Sequence, residues 1–174
     1  MLYPARMKHE HERRHALPFH WPAPPFSIVL VEPEIPQNTG NIARLCAATG
    51  SALHLVGPLG FQLSSNRLRR AGLDYWDSVT LVRHPTWDAF EQEEGAGRNW
   101  LFSTRGQRIY TSARFQPGDR LVFGSESKGL PEALLEAHED QILAVPMRTE
   151  HVRSLNLAGT VSLVLYEALR QVQP

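Results

Sequence analysis

Phe123-Gly124-Ser125-Glu126-Ser127-Lys128-Gly129-Leu130-Pro131 starts at the end of a short apolar run, Arg120 to Phe123, and turns at once into a loop with two glycines, a carboxylate and a lysine. Val145-Pro146-Met147 follows a second such run from Ile142, and Arg153-Ser154-Leu155-Asn156-Leu157 opens a long apolar-periodic segment. Short continuous apolar runs read as strands buried on both faces. In an open α/β sheet, the loops leaving the carboxyl ends of neighbouring strands converge on a crevice, because the sheet no longer uses their backbone donors. These polar clusters therefore mark the expected site.

Upstream, strand and helix signals alternate. Ile28 to Val31 reads as the first strand, followed by a proline-punctuated loop from Glu32 to Gln37. A helix follows, with Asn38 or Thr39 as its cap, Ile42, Leu45, Cys46 and Thr49 on one face, and Gly50 closing it. Ala52 to Val56 is the second strand. Ser64 caps a short basic helix through Arg70, a third strand runs around Val79 to Val82, and a helix starts near Thr86. Trp100 to Ser103 supplies a further strand, and Pro131 suits a first helical position. The last helix, about Asn156 to Val172, sets Leu157, Val161, Val164, Leu165 and Ala168 at three-and-four spacing, so it packs on the sheet or on another subunit. The expected fold is α/β, a mostly parallel sheet with helices on both faces.

With 174 residues, 42% of them hydrophobic, the chain suits one domain. Its 18 basic and 18 acidic side chains cancel, which excludes a histone-like or membrane-surface polycation and confines any nucleic-acid contact to a local patch. The single cysteine, Cys46, excludes an intrachain disulfide and a multi-cysteine zinc site, and fits a reducing, cytoplasmic setting. No apolar run approaches the roughly 20 residues of a membrane span, so no membrane partner is expected. Residues 1–26 hold many prolines, several basic side chains and His9, His11, His15 and His20, and read as a flexible tail before a domain at 27–174. The histidine spacing fits no compact metal-ligand set, so no metal is expected.

Four clusters carry chemistry. Asn38-Thr39-Gly40-Asn41-Ile42-Ala43-Arg44 joins a loop to a helix start, where free N–H groups attract anions and the fork of Arg44 can grip a phosphate, or where a surface arginine simply follows a cap. In the 123–131 loop, glycines permit close approach of a ligand, and Glu126 can orient a hydroxyl, accept a proton, or merely favour the helix start at Pro131. Between Pro146 and Asn156, a capping box at Ser154 lacks its acidic or amide partner because Leu157 stands there, which leaves Ser154 and Asn156 for a ligand or Ser154 as a plain cap. Arg67, Arg69 and Arg70 precede Tyr75 and Trp76, the combination that holds phosphate and stacks unpaired bases, or else a solvated helix face beside a core tryptophan. No phosphate-loop, dinucleotide or nucleophile-elbow motif is present, which disfavours nucleotide hydrolysis, a dehydrogenase and a hydrolase triad.

Taken together, the blocks at 31–46, 67–75, 123–131 and 153–157, with Tyr166-Glu167, resemble the SPOUT-class RNA 2′-O-methyltransferases and, within them, the TrmL (YibK-like) branch acting on the wobble nucleotide of certain leucine tRNAs. The resemblance spans about Ser27 to Gln171. It implies a carboxyl-terminal deep trefoil knot, S-adenosylmethionine as methyl donor, a tRNA anticodon loop as substrate and a homodimer with the knot at its interface. It places Phe102, Ser103, Gly106, Gly124, Val145, Ser154 and Leu155 at the cofactor and Arg44 at the reaction; Asn38, Glu126, Ser154 and Asn156 are read here as positioning the hydroxyl or relaying its proton, and Arg44, Arg67, Arg69, Arg70 and Arg153 as contacting the RNA. Ser125 stands where close relatives carry proline, and the Met147 to Arg153 stretch is one residue longer. A related enzyme on another tRNA or rRNA site, and a non-catalytic RNA-binding protein of the same fold, are the alternatives.

Overall fold

A computed structural model describes residues 17–62, 78–148 and 150–174. Its centre is a seven-stranded sheet of β1 (Ser27–Val31), β2 (Ala52–Val56), β3 (Leu81–His84), β4 (Asn99–Phe102), β5 (Arg108–Ile109), β6 (Arg120–Phe123) and β7 (Ile142–Ala144). The order is β3-β2-β1-β6-β4-β7-β5, and every pairing is parallel. Helices α1 (Pro36–Thr49), α2 (Trp87–Glu94), α3 (Glu132–Ala137) and α4 (Leu157–Gln171) cover it.

Burial on both faces explains the unalternating apolar runs. Ile28, Leu30, Leu53, Leu55, Leu121 and Phe123 point to a core shared with Ile42 and Cys46 of α1 and Val161, Val164, Leu165 and Ala168 of α4. The intervening residues Val29, Val31, Val56, Leu101 and Val122 point the other way, against Phe90 of α2 and Leu134 and Leu135 of α3. Period-two side-chain direction thus splits one strand between two cores.

Asp119 and His54 are among the polar groups built into this interior. Asp119, 4% exposed, accepts from Trp100 Nε1 at 2.8 Å and pairs with Arg98, bolting β4 to β6 at their amino ends. On β2, burial lowers the pKa of His54 from its ordinary value, opposed by Glu94 and reinforced by His84 and Arg120.

Several expectations shift. The third strand is Leu81–His84 rather than 79–82, because Leu81 to His84 are the residues in register with Leu53 to Val56. Helix α1 begins at Pro36 with Ile35 at its cap position and no side-chain cap, so neither Asn38 nor Thr39 caps it. The proline supplies the first-turn geometry instead. Pro131 sits at the cap position of α3 rather than inside it, and Asn156, not Ser154, caps α4 by accepting from Gly159 N at 3.1 Å. The two-residue β5 carried no sequence signal. The basic block at 67–70 and its helix lie outside the described residues. Of the segment assigned to the tail, residues 17–26 lie on the domain: Pro22 and Phe26 are buried, and His20 exchanges two hydrogen bonds with Gln173.

Strand β7 lies between β4 and β5, so a later strand is enclosed by the segment joining two earlier ones. That segment is tightly packed: a Cβ on Gly106 would stand 2.7 Å from the Leu143 carbonyl carbon.

Cys46 is fully buried on α1, and desolvation pushes its thiol up to about 12. Near pH 8 the thiolate fraction is on the order of 10⁻⁴, so reaction with a disulfide reagent should follow global unfolding. Rapid stoichiometric labelling of the native protein would contradict this packing.

Candidate active site

A cavity of about 510 Å³ opens where β1, β4, β6 and β7 end. That volume suits a drug-sized or nucleoside-sized ligand. Phe102 and Phe123, the last residues of β4 and β6, stack with centroids 4.7 Å apart and planes 13° from parallel along its wall. Loop 124–130, the 102–105 segment, Val145, Met147 and residues 153–157 make up most of the rest of the lining, with Ile35, Asn38, Leu135 and Thr160.

The glycine loop is shaped by its own backbone. Ser125 N donates to Gly129 O at 3.1 Å, Gly129 N returns to Ser125 O at 2.9 Å, and Gly129 adopts φ +73°. A Cβ on Gly124 would collide with the backbone of Gly129 and Leu130, so only glycine fits there. Serine at 125 has an N–H that proline lacks, and this N–H closes the turn. Lys128 N adds a bond to Ser125 Oγ at 3.3 Å.

Glu126 reaches away from its own helix start at Pro131 and toward α1. Its carboxylate accepts from Glu34 N at 2.8 Å, Ile35 N at 3.3 Å and Asn38 Nδ2 at 2.9 Å. Glu34 reciprocates, accepting from Ser127 N at 3.0 Å and Ser127 Oγ at 2.7 Å. Asn38 Oδ1 accepts from Asn156 Nδ2 at 3.0 Å. Three distant segments are thereby tied in one network: the loop after β1, the loop after β6 and the start of α4. At the rim, Arg105 pairs with Glu132.

Most sequence-derived candidates meet here. Phe102, Ser103, Gly124, Val145, Ser154, Leu155, Asn38, Glu126, Asn156 and Arg153 all line the cavity. Gly106 does not; it packs its backbone on β7, where a side chain has no room. Arg44 is exposed on α1 and is not part of the lining, standing about 9 Å along the helix axis from Asn38. Glu34 and Ser127 were missed. Their only sequence signal is polarity within loops already singled out, because their contact joins residues 93 positions apart.

A parallel α/β domain with a glycine-cradled crevice at its strand ends belongs to the broad class that binds nucleotide-like ligands at such ends. Residues 25–166 match the SpoU rRNA Methylase family, and the chain belongs to that family. It is 49% identical, over 84% of its length and 96% of the relative's, to a tRNA (cytidine(34)-2'-O)-methyltransferase of Saccharophagus degradans. A counterpart of that name in Burkholderia cenocepacia is 50% identical over 84% of this chain and 95% of its own. Among solved structures, one concerned with the 2-OH methylation of C/U34 on tRNA superposes with a TM-score of 0.78 at 50% identity, covering 84% of this chain and 95% of that one. An AdoMet-bound rRNA methyltransferase from Sinorhizobium meliloti superposes with a TM-score of 0.73 at 25% identity, covering 86% of this chain and 57% of that one.

Removing the Glu126 carboxylate should unlock the network. Glu126→Ala is expected to lower unfolding free energy by about 1–3 kcal/mol, since charge-assisted bonds to partly buried donors are lost, while Glu126→Gln keeps one acceptor oxygen and loses less. Denaturant unfolding checks this, and equal stability of all three proteins would refute the clamp.

Proposed function

We propose that this chain transfers a methyl group from S-adenosylmethionine to the ribose 2′-hydroxyl of nucleotide 34, cytidine or modified uridine, in tRNA. The observation that carries the reading is the coincidence of the glycine-cradled cavity with relatives about half identical across almost the whole domain and named for that reaction. The residues present fit the donor. The absent Cβ of Gly124 lets the Gly129–Leu130 backbone fold back against the strand end and shape the cavity wall, and the Phe102–Phe123 pair offers an apolar wall to a planar base. Phe102, Ser103, Gly124, Val145, Ser154 and Leu155 would hold it, with Gly106 supporting the loop from behind.

The donor supplies an already activated methyl group, so the protein's task is alignment and removal of a hydroxyl proton. The Glu126–Asn38–Asn156 network acts as scaffold: the Glu126 oxygens and both Asn38 side-chain groups are engaged with protein partners. Arg44, on the exposed face of α1, clamps an RNA phosphate and polarises the hydroxyl; a guanidinium is a poor base. Arg67, Arg69, Arg70 and Arg153 extend the phosphate contacts. The insertion of β7 between β4 and β5 supports the trefoil knot that the family resemblance implies. Among the described residues no helix is long and apolar enough to cross a membrane. The cytoplasm, where tRNA is modified, is the proposed location.

The enzyme is proposed to work as a homodimer. Val152 and Leu155 in the segment before α4, and Leu163 and Tyr166 on its outer face, are 42–52% exposed, an apolar surface a second copy would cover. Leu163→Asp with Tyr166→Asp should give a monomer by analytical ultracentrifugation, and an unchanged sedimentation coefficient would place any interface elsewhere.

The activity test is incubation with S-adenosylmethionine and unmodified total tRNA or rRNA, followed by nucleoside-level mapping. Methylation at position 34, with leucine tRNAs as the first substrates examined, is the expected result. A mark confined to rRNA or to another tRNA position would overturn it. Arg44→Lys should reduce turnover at saturating tRNA at least about tenfold, as a point charge cannot make the bidentate contact.

A further inference from the structure

The outer edge of the sheet carries a second polar cluster, none of whose members lines the cavity. His54 on β2 and His84 on the edge strand β3 project from the same sheet face, toward α2. Their side chains are 5% and 0% exposed. His54 Nδ1 faces His84 Nε2 at 3.0 Å. Glu94, at the end of α2, places Oε1 3.6 Å from His54 Nδ1 and 4.0 Å from His84 Nε2.

From this cluster we propose that His54, His84 and Glu94 form a binding site for one divalent transition-metal ion of the zinc class.

The geometry is the first argument. A point equidistant from the three donor atoms lies about 2.1 Å from each, the bond length zinc makes to imidazole nitrogen and carboxylate oxygen. Orientation is the second. His84 Nδ1 lies 2.7 Å from Glu93 Oε2. A carboxylate there holds the proton on Nδ1 and turns the Nε2 lone pair inward, the outer-shell arrangement that metal-bound histidines use. Charge is the third. Glu93 and Glu94 face the two imidazoles, and the opposing cation among the described residues is Arg120, whose guanidinium is held by the Glu94 and Gly95 carbonyls. Two carboxylates against one guanidinium leave the cluster attractive to a cation. Phe90 closes the apolar side, its ring centroid 5.4 Å from His54 and 5.2 Å from His84. Glu94 is 32% exposed, so entry and a water as fourth ligand come from its side.

Without an ion, the same rings form a hydrogen-bonded chain in which His54 Nδ1 donates to His84 Nε2. Binding requires His54 to carry its proton on Nε2 instead, a change of tautomer with no net proton release. The ion would tie the edge strand β3 to β2 and to α2, giving the site a stabilising role independent of methyl transfer.

The test uses the full-length chain with His9, His11, His15 and His20 changed to Gln, so that the amino-terminal imidazoles contribute no binding. Cobalt(II) titration should show one ion per chain with visible d–d absorption, displaced by zinc, and zinc should raise the thermal midpoint by several degrees. Glu94→Gln, a partly exposed position, and His84→Gln should each weaken cobalt binding at least about tenfold, and Glu93→Gln about 10–100-fold. Absence of stoichiometric cobalt binding, or equal affinity in the Glu94→Gln protein, overturns the proposal and leaves the pair as a metal-free hydrogen-bonded chain.

Discussion

The Glu126 carboxylate is the constraint on which the site depends. It joins backbone donors at Glu34 and Ile35 to the amide of Asn38, and Asn38 passes the connection to Asn156 at the start of α4. Hydrogen bonds to a carboxylate acceptor are stronger than those between neutral groups. Glu34 closes the clamp from the opposite side through Ser127. The loops after β1 and β6 are therefore tied to one another beside the cavity.

That clamp works because the sheet first delivers the loops to one place. β6 lies between β1 and β4, and β7 lies on the far side of β4, so strands distant in sequence end side by side. Apolar side chains on both faces fix their register, since a one-residue slip would exchange the two cores. Gly124 and Gly106 mark where backbones approach too closely for a side chain, one beside the cavity and one against β7. The crevice is thus a consequence of strand order, and its glycine requirement is a consequence of crowding.

The proposed function divides between this core and a more open surface. The cavity-lining residues are held by the sheet and the carboxylate network, whereas Arg44 stands on the exposed face of α1. Such a division suits a donor enclosed in a preformed pocket and an RNA that approaches from outside. The histidine pair at the sheet edge belongs to neither region; its burial against Phe90 fits a role in holding β3 and α2 to the domain.

Much was legible in the chain itself. The runs at 28–31, 52–56 and 120–123 named their strands, because residues buried on both faces leave an unbroken apolar signal. The glycine loop and the Arg-Ser-Leu-Asn-Leu stretch named most of the cavity lining. What the chain could not show was pairing across long separations: that Glu126 serves α1 rather than the adjacent α3, that Asn156 both caps α4 and reaches Asn38, and that His54 meets His84. Local patterns of burial and turn formation are written in neighbouring residues and were determined by the sequence alone. Which side chains complete one another's hydrogen bonds was decided only by the tertiary structure, because strand order sets those distances and no short-range spacing encodes it.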